Sequence, residues 1–262
     1  MKIPLYVIDA FTSRVFGGNP AAVCPLDAWL PDDVMQKIGQ ENNLSETAFF
    51  VRESEDTYGL RWFTPTIEVD LCGHATLASA FAIFNFTDAS ADAVTFNSRS
   101  GPLRVWRGDG ERLTLDLPAR RAKACDAPAA LLDGLGARPR EVLRSSVDYL
   151  AVYDTEDEVR ALRPDMTLLA ALDSLGVIVT APGSASDCAS RYFAPGAGIP
   201  EDPVTGAAHC TLTPYWAEKF SRREIHALQV SARGGELFCE DAGERVKLSG
   251  HAVRYSEGFL YL

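Results

Sequence analysis

The chain has 262 residues, 47 % hydrophobic and 23 % charged, the balance of an ordinary globular protein with apolar material for two cores. Its 36 acidic and 25 basic side chains leave a formal net charge of -11, which argues against a nucleic-acid partner, since such binding runs on Lys/Arg neutralisation of phosphates. No apolar run approaches bilayer length and the start, broken by Pro4 and Asp9, lacks a signal pattern, so a cytoplasmic protein with no membrane partner is expected.

Residues 4–11 alternate apolar and polar, as a strand does. Phe16-Gly17-Gly18-Asn19-Pro20 carries turn chemistry, with Asn19 a candidate substrate contact. Pro31-Asp32-Asp33 opens a helix to about residue 40, proline in its first turn and acids near its N-terminus. Strands follow at 47–51 and 60–63. The Ala-rich run 75–84 reads as a buried helix, and 94–98, 103–107 and 112–117 as strands. A linker is expected near 118–126. Beyond it come a strand near 149–153, a helix from Met166, and strands near 176–180 and 191–193. A helix over 207–220 should kink or start late because of Pro214. Strands near 229–232, 236–240 and 245–248 close the series.

The series contains a repeat. Arg61-Trp62-Phe63-Thr64-Pro65 returns as Arg191-Tyr192-Phe193-Ala194-Pro195, offset by 130. Arg99 to Leu103 returns as Arg233 to Leu237, offset by 134, and Glu111-Arg112 as Glu244-Arg245, offset by 133. Pro31-Asp32 likewise matches Pro164-Asp165. Four matches in order point to two copies of one module, each a mixed sheet around a central apolar helix, with a ligand cleft where they meet. The expected domains are 1–118 and 119–262, the last residues returning to the first.

Three segments could carry chemistry. In Asn42-Asn43-Leu44-Ser45-Glu46-Thr47, Glu46 stands at a strand entrance, where a rigid element can hold a carboxylate toward a cleft. Ser45 beside it is a candidate substrate contact. Leu71-Cys72-Gly73-His74-Ala75-Thr76 leads into the Ala-rich helix, so the Gly73 amide can face an anion and His74 can donate or shuttle a proton. Its counterpart, Glu201-Asp202-Pro203-Val204-Thr205-Gly206-Ala207, offers the amides of Gly206 and Ala207, with Asp202 either a polar anchor or a helix cap before Pro203. Six cysteines stand singly with no metal-ligand spacing, and there is no nucleotide loop or nucleophile elbow, so neither metal nor cofactor is signalled.

These motifs in this order, Phe16-Gly-Gly-Asn-Pro-Ala-Ala-Val, Asn43-Leu-Ser-Glu-Thr-Ala, Arg61-Trp-Phe-Thr-Pro, Leu71-Cys-Gly-His-Ala-Thr and Glu201-Asp-Pro-Val-Thr-Gly, closely resemble the phenazine-biosynthesis PhzF-like family. The resemblance implies the α+β fold of diaminopimelate epimerase, two pseudo-symmetric domains each wrapping a curved mixed sheet around a central helix. It implies a cofactor-independent isomerase, a homodimer in known members, that moves a proton within a small anionic metabolite. Glu46 falls on the family's general acid/base, and His74 and Asp202 on residues associated with substrate holding and proton handling. Diaminopimelate epimerase opposes two cysteines; Cys72 resembles the first, but Thr205 stands for the second, which disfavours a two-thiol mechanism. Ala207 replaces a common Ser, leaving only its amide available. A racemase or epimerase and a non-catalytic binding protein of the same fold are the alternatives.

Overall fold

Alternating apolar and polar residues put most of the chain into strands. The computed structural model describes residues 1–262, the side chain of Asp109 excepted. In chain order its elements are β1 (Lys2–Ala10), β2 (Asn19–Leu26), α1 (Asp32–Asn42), β3 (Glu46–Arg52), β4 (Thr57–Phe63), β5 (Glu68–Val69), α2 (Gly73–Ala82), β6 (Ala93–Ser98), β7 (Gly101–Arg107), β8 (Leu113–Pro118), β9 (Lys123–Ala124), α3 (Ala129–Leu135), β10 (Glu141–Arg144), β11 (Asp148–Val152), α4 (Glu156–Ala161), α5 (Met166–Ala170), β12 (Gly176–Pro182), β13 (Cys188–Ala194), β14 (Ile199–Asp202), α6 (Gly206–Phe220), β15 (Glu224–Gln229), β16 (Gly235–Asp241), β17 (Arg245–Gly250) and β18 (Ala252–Tyr261). No helix among the described residues is long and apolar enough to cross a membrane.

Two units form, Met1–Leu117 with Leu248–Leu262, and Pro118–Lys247. In the first, β18 and β2 both run antiparallel to β1. Strands β2 and β3 are parallel across α1, β4 is antiparallel to β3, and β6 is parallel to β4 across α2. Antiparallel β7 and β8 follow. In the second unit β11 and β12 are parallel across α4 and α5, β13 is antiparallel to β12, and β15 is parallel to β13 across α6. The two chains of connections match, so the repeat in the sequence is a repeat of topology and the fold is α+β with mixed sheets.

An ion pair repeats with it. The Arg61 guanidinium forks onto Glu68, Nε to Oε1 at 2.7 Å and Nη2 to Oε2 at 2.8 Å. Arg191 forks onto Glu201 at 2.7 and 2.9 Å. In each unit this bidentate pair ties the strand before the central helix to the short strand that leads into it, which fixes where that helix begins.

The central helices are the most buried elements. Every residue of α2 except Phe81 is buried, and small Ala and Ser side chains allow the close packing. In α6 the run from Ala208 to Ala217 is buried. This helix starts at Gly206 and continues through Pro214, so the expected late start does not occur. Proline at 214 frees the carbonyl of Cys210, and the Arg120 N–H takes that carbonyl at 2.9 Å. Around the helices, the first unit packs Ile3, Met35, Phe49 and Phe63 together, and the second packs Leu131, Val159, Val177 and Phe193.

Other boundaries shift for local reasons. The strand expected over 229–232 is β15, which ends at Gln229, because the Gly234 N–H closes a turn on the Ser231 carbonyl at 3.1 Å. The helix expected over 75–84 begins at Gly73 and passes at Ile83 into a π-helical turn. Asn19 begins β2 rather than sitting within a turn.

Candidate active site

Three elements of the first unit bring one side chain each to the same place. Strands β2 and β3 run parallel with Ala21 beside Glu46, so their starts lie at the same end. Asn19 is the first residue of β2 and Glu46 the first of β3. The turn that launches β2 requires glycine: a Cβ on Gly18, at φ +60°, would sit 2.1 Å from the Ala10 carbonyl oxygen. Asp9 steadies the same turn by accepting the Phe16 N–H at 2.9 Å. Upstream of β3, Asn43 ends α1 in the left-handed conformation at φ 49°, which turns the chain toward Glu46.

Helix α2 supplies the third group. Cys72 is its N-cap in extended conformation, Gly73 its first residue and His74 its second. The imidazole Nε2 of His74 lies 3.2 Å from Oε2 of Glu46. Its Nδ1 lies 3.1 Å from the Asn19 amide nitrogen and 3.5 Å from the Cys72 sulfur. All four residues are buried, His74 at 2 % exposure. Burial pushes the His74 pKa down to about 3, so the ring is neutral at physiological pH. The early amides of α2 have no intrahelical partner, the usual condition of a helix start. Ser45 is half-buried immediately before Glu46.

Of the predicted site residues, Glu46, His74, Asn19 and Gly73 thus converge in the first unit. Asp202, Gly206 and Ala207 belong to the second. There Asp202 ends β14, and the helix starts only at Gly206 with Thr205 as N-cap, so Asp202 is not a cap preceding Pro203. Its carboxylate accepts the Thr205 hydroxyl at 2.5 Å. Gln229, buried, locks this turn: Oε1 accepts the Thr205 N–H at 2.8 Å, and Nε2 donates to the Asp202 carbonyl at 2.8 Å. His209, one turn into α6, contacts the Thr205 carbonyl through Nδ1 at 2.8 Å and has its pKa pushed down by burial to about 4.

Sequence reading missed Gln229 and the approach of Cys72 to His74. Gln229 comes from a strand distant in sequence, and no local motif announces it. Cys72 was visible as a neighbour of Gly73, but its contact depends on the N-cap geometry. With it, Glu46, Cys72 and His74 offer a carboxylate oxygen, a sulfur and a ring nitrogen within 4.8 Å of one another, a donor set that a thiophilic cation could use. Without a cation, the same geometry is that of a carboxylate whose proton traffic a buried neutral imidazole can influence.

Comparisons with known proteins bear on the fold and the family. A family model described as PhzC-PhzF, phenazine biosynthesis-like protein, matches residues 8–258. A Pseudomonas aeruginosa protein named as an uncharacterized isomerase is 51 % identical over 262 residues, covering 100 % of both chains. The crystal structure of a PhzF-family protein from Enterococcus faecalis superposes with a TM-score of 0.94 at 45 % identity, covering 100 % of both chains. A hydroxyproline epimerase from Agrobacterium vitis shares the fold alone, with a TM-score of 0.62 at 11 % identity over 99 % of this chain and 91 % of that one.

Proposed function

The chain belongs to the phenazine biosynthesis-like family, and from that premise we propose that it is a cofactor-independent isomerase moving a proton within a small carboxylate-bearing substrate. Glu46 is the general acid/base in this reading. Its carboxylate takes a proton from an activated carbon, and the resulting carboxyl group returns that proton at another position, so the enzyme ends unchanged. The observation that carries the proposal is a buried carboxylate 3.2 Å from a buried imidazole that burial keeps neutral.

The other assignments follow from chemistry. Negative charge develops on the substrate as the proton leaves, and unpaired amides at a helix start stabilise such charge. The Gly73 amide serves this role, and Gly206 and Ala207 offer a second helix start of the same kind. Ser45 is assigned to substrate contact and Asp202 to anchoring a polar substrate group. Epimerisation at one stereocentre would need a second acid/base of comparable strength, and the residue equivalent to Cys72 is Thr205, a poor one. We extend the proposal to a homodimer in the cytoplasm; light scattering after gel filtration tests the dimer, and cell fractionation the location.

A screen of small carboxylated metabolites in heavy water tests the reaction class. The proposal expects one of them to take up solvent deuterium and to emerge with altered connectivity. Deuterium uptake with inversion alone would establish an epimerase, and a tightly bound but unexchanged ligand would establish a binding protein.

A further inference from the structure

We propose that the second unit carries a separate binding site for a small monocarboxylate with an apolar body, in a cavity between the ends of α3 and α4. The site uses no residue assigned to the reaction and stands whether or not Glu46 is the acid/base.

The cavity has a volume of about 430 Å³, within the range of small-ligand sites. Leu135, Tyr153 and Leu162 line it while only 1, 2 and 3 % exposed, so its floor is apolar and belongs to the core. The Tyr153 hydroxyl is already engaged, donating to the Ala137 carbonyl at 2.9 Å, and that bond holds the turn after α3 against the floor. A ligand therefore meets the ring and the leucines, which suit an apolar body.

Charge decides the other end of the ligand. Arg138 and Arg163 both line the cavity and are exposed. Neither has a carboxylate partner among the described residues, although the chain carries a net charge of -11. Their neighbours are paired: Arg140 with Asp154 at 3.0 Å and Arg160 with Glu156 at 2.6 Å. Arg163 is held in place by Nη1, which donates to the Arg160 and Leu162 carbonyls at 3.0 and 2.8 Å. Its remaining N–H groups are left over for an acceptor. Glu158 also lines the cavity, but its Oε2 is spent on the cap of α4. It accepts the Asp154 and Thr155 N–H groups at 3.0 and 2.9 Å and the Thr155 hydroxyl at 3.1 Å.

Two guanidinium charges against one carboxylate leave room for a single negative charge, which a carboxylate supplies and a phosphate dianion exceeds. Exposed arginines alone hold an anion weakly. Two of them above an apolar floor add forked hydrogen bonds to burial of the ligand's body. The repeat shows that the feature is particular to this unit. The match of Pro31-Asp32 with Pro164-Asp165 sets Arg163 against Leu30, which packs into the core of the first unit.

NMR titration of the nitrogen-15-labelled full chain with hexanoate tests the site. The amides of Gly136, Arg138 and Leu162 should shift and saturate, while hexanamide, with the same body and no charge, should leave them in place. Arg138→Gln breaks no contact and should weaken hexanoate binding about five- to tenfold; Arg163→Gln should do the same. Inorganic phosphate should bind more weakly than hexanoate. Equal binding of hexanamide, undiminished binding by Arg138→Gln, or tighter binding of phosphate would each overturn the proposal. So would hexanoate shifts confined to the amides of Gly73 and Gly206, which would place the carboxylate in the reaction site and leave the proposed function intact.

Discussion

Glu46 and Gly176 occupy the same place in the two repeats. Thr47 stands opposite Phe63 in the first unit and Val177 opposite Phe193 in the second, so the residues just before them begin equivalent strands. Where the first unit has a carboxylate, the second has no side chain. The space is taken by Tyr192, whose ring would lie 2.4 Å from a Cβ on Gly176 and whose hydroxyl donates to the buried Asp148 at 2.9 Å. The repeated scaffold thus carries a carboxylate at only one of its two twinned strand starts.

Gly176→Ala should therefore destabilise the second unit while leaving Glu46 untouched. The contact is with a ring braced by its own hydrogen bond, so neither partner yields cheaply, and a loss of about 1–3 kcal/mol is expected. Urea unfolding of the variant against the wild type measures it; unchanged stability would show that Tyr192 moves freely.

Asp148 gives a pH prediction. Burial raises its pKa to about 6 despite the Tyr192 hydroxyl and the Arg120 charge, which pull the other way. The folded carboxyl thus holds its proton more tightly than the unfolded one, whose pKa is near 3.8. Stability from this group is complete below about pH 4 and is lost as pH rises through about 6. Asp148→Asn, which keeps an acceptor for Tyr192, should be more stable than the wild type at pH 7.5 by roughly 2–3 kcal/mol, an advantage that disappears below about pH 4. Thermal melts at the two pH values decide it.

Arg191 ties β13 to Glu201 and also donates to the carbonyls of Val159 and Leu162, at 3.1 and 3.0 Å, while 9 % exposed. Arg191→Ala leaves a carboxylate and two carbonyls with lost partners, and a loss of about 3–5 kcal/mol is expected. Arg191→Lys retains charge but not the fork and should recover only part of it. Denaturant midpoints of the two variants test the order.

Much of this was legible beforehand, for reasons that can be named. The repeat showed because Arg61-Trp-Phe and Arg191-Tyr-Phe carry the paired guanidinium and two core aromatics, roles that tolerate little change. Glu46 and His74 stood in short motifs at a strand start and a helix start, places where local sequence reports geometry. Strand β2 was hidden because Asn19 and Pro20 read as part of a turn, though both lie in the strand. The course of α6 through Pro214 depended on a distant N–H, that of Arg120, which no local pattern encodes. Gln229 escaped for the same reason, and so did the pairing of Asn19 with His74, which needs β2 and α2 to be folded together.

Gly18→Ala should reach the site indirectly. A Cβ there meets the Ala10 carbonyl at 2.1 Å in a left-handed backbone, so the turn must open and the start of β2, with Asn19, must shift. Stability should fall by about 2 kcal/mol or more, and turnover should fall further than stability alone explains, because a small displacement of an aligned group costs rate steeply. Activity measured well below the melting temperature separates the two effects.

The most direct test of the proposed chemistry is the rate of solvent-deuterium incorporation into a turned-over substrate by the wild type and by Glu46→Gln, whose side chain keeps the shape but cannot act as the base. The account predicts that exchange falls by three orders of magnitude or so, with the variant still folded and still binding substrate. Exchange at a near-normal rate by the variant would contradict it and move the proton-transfer role to another residue.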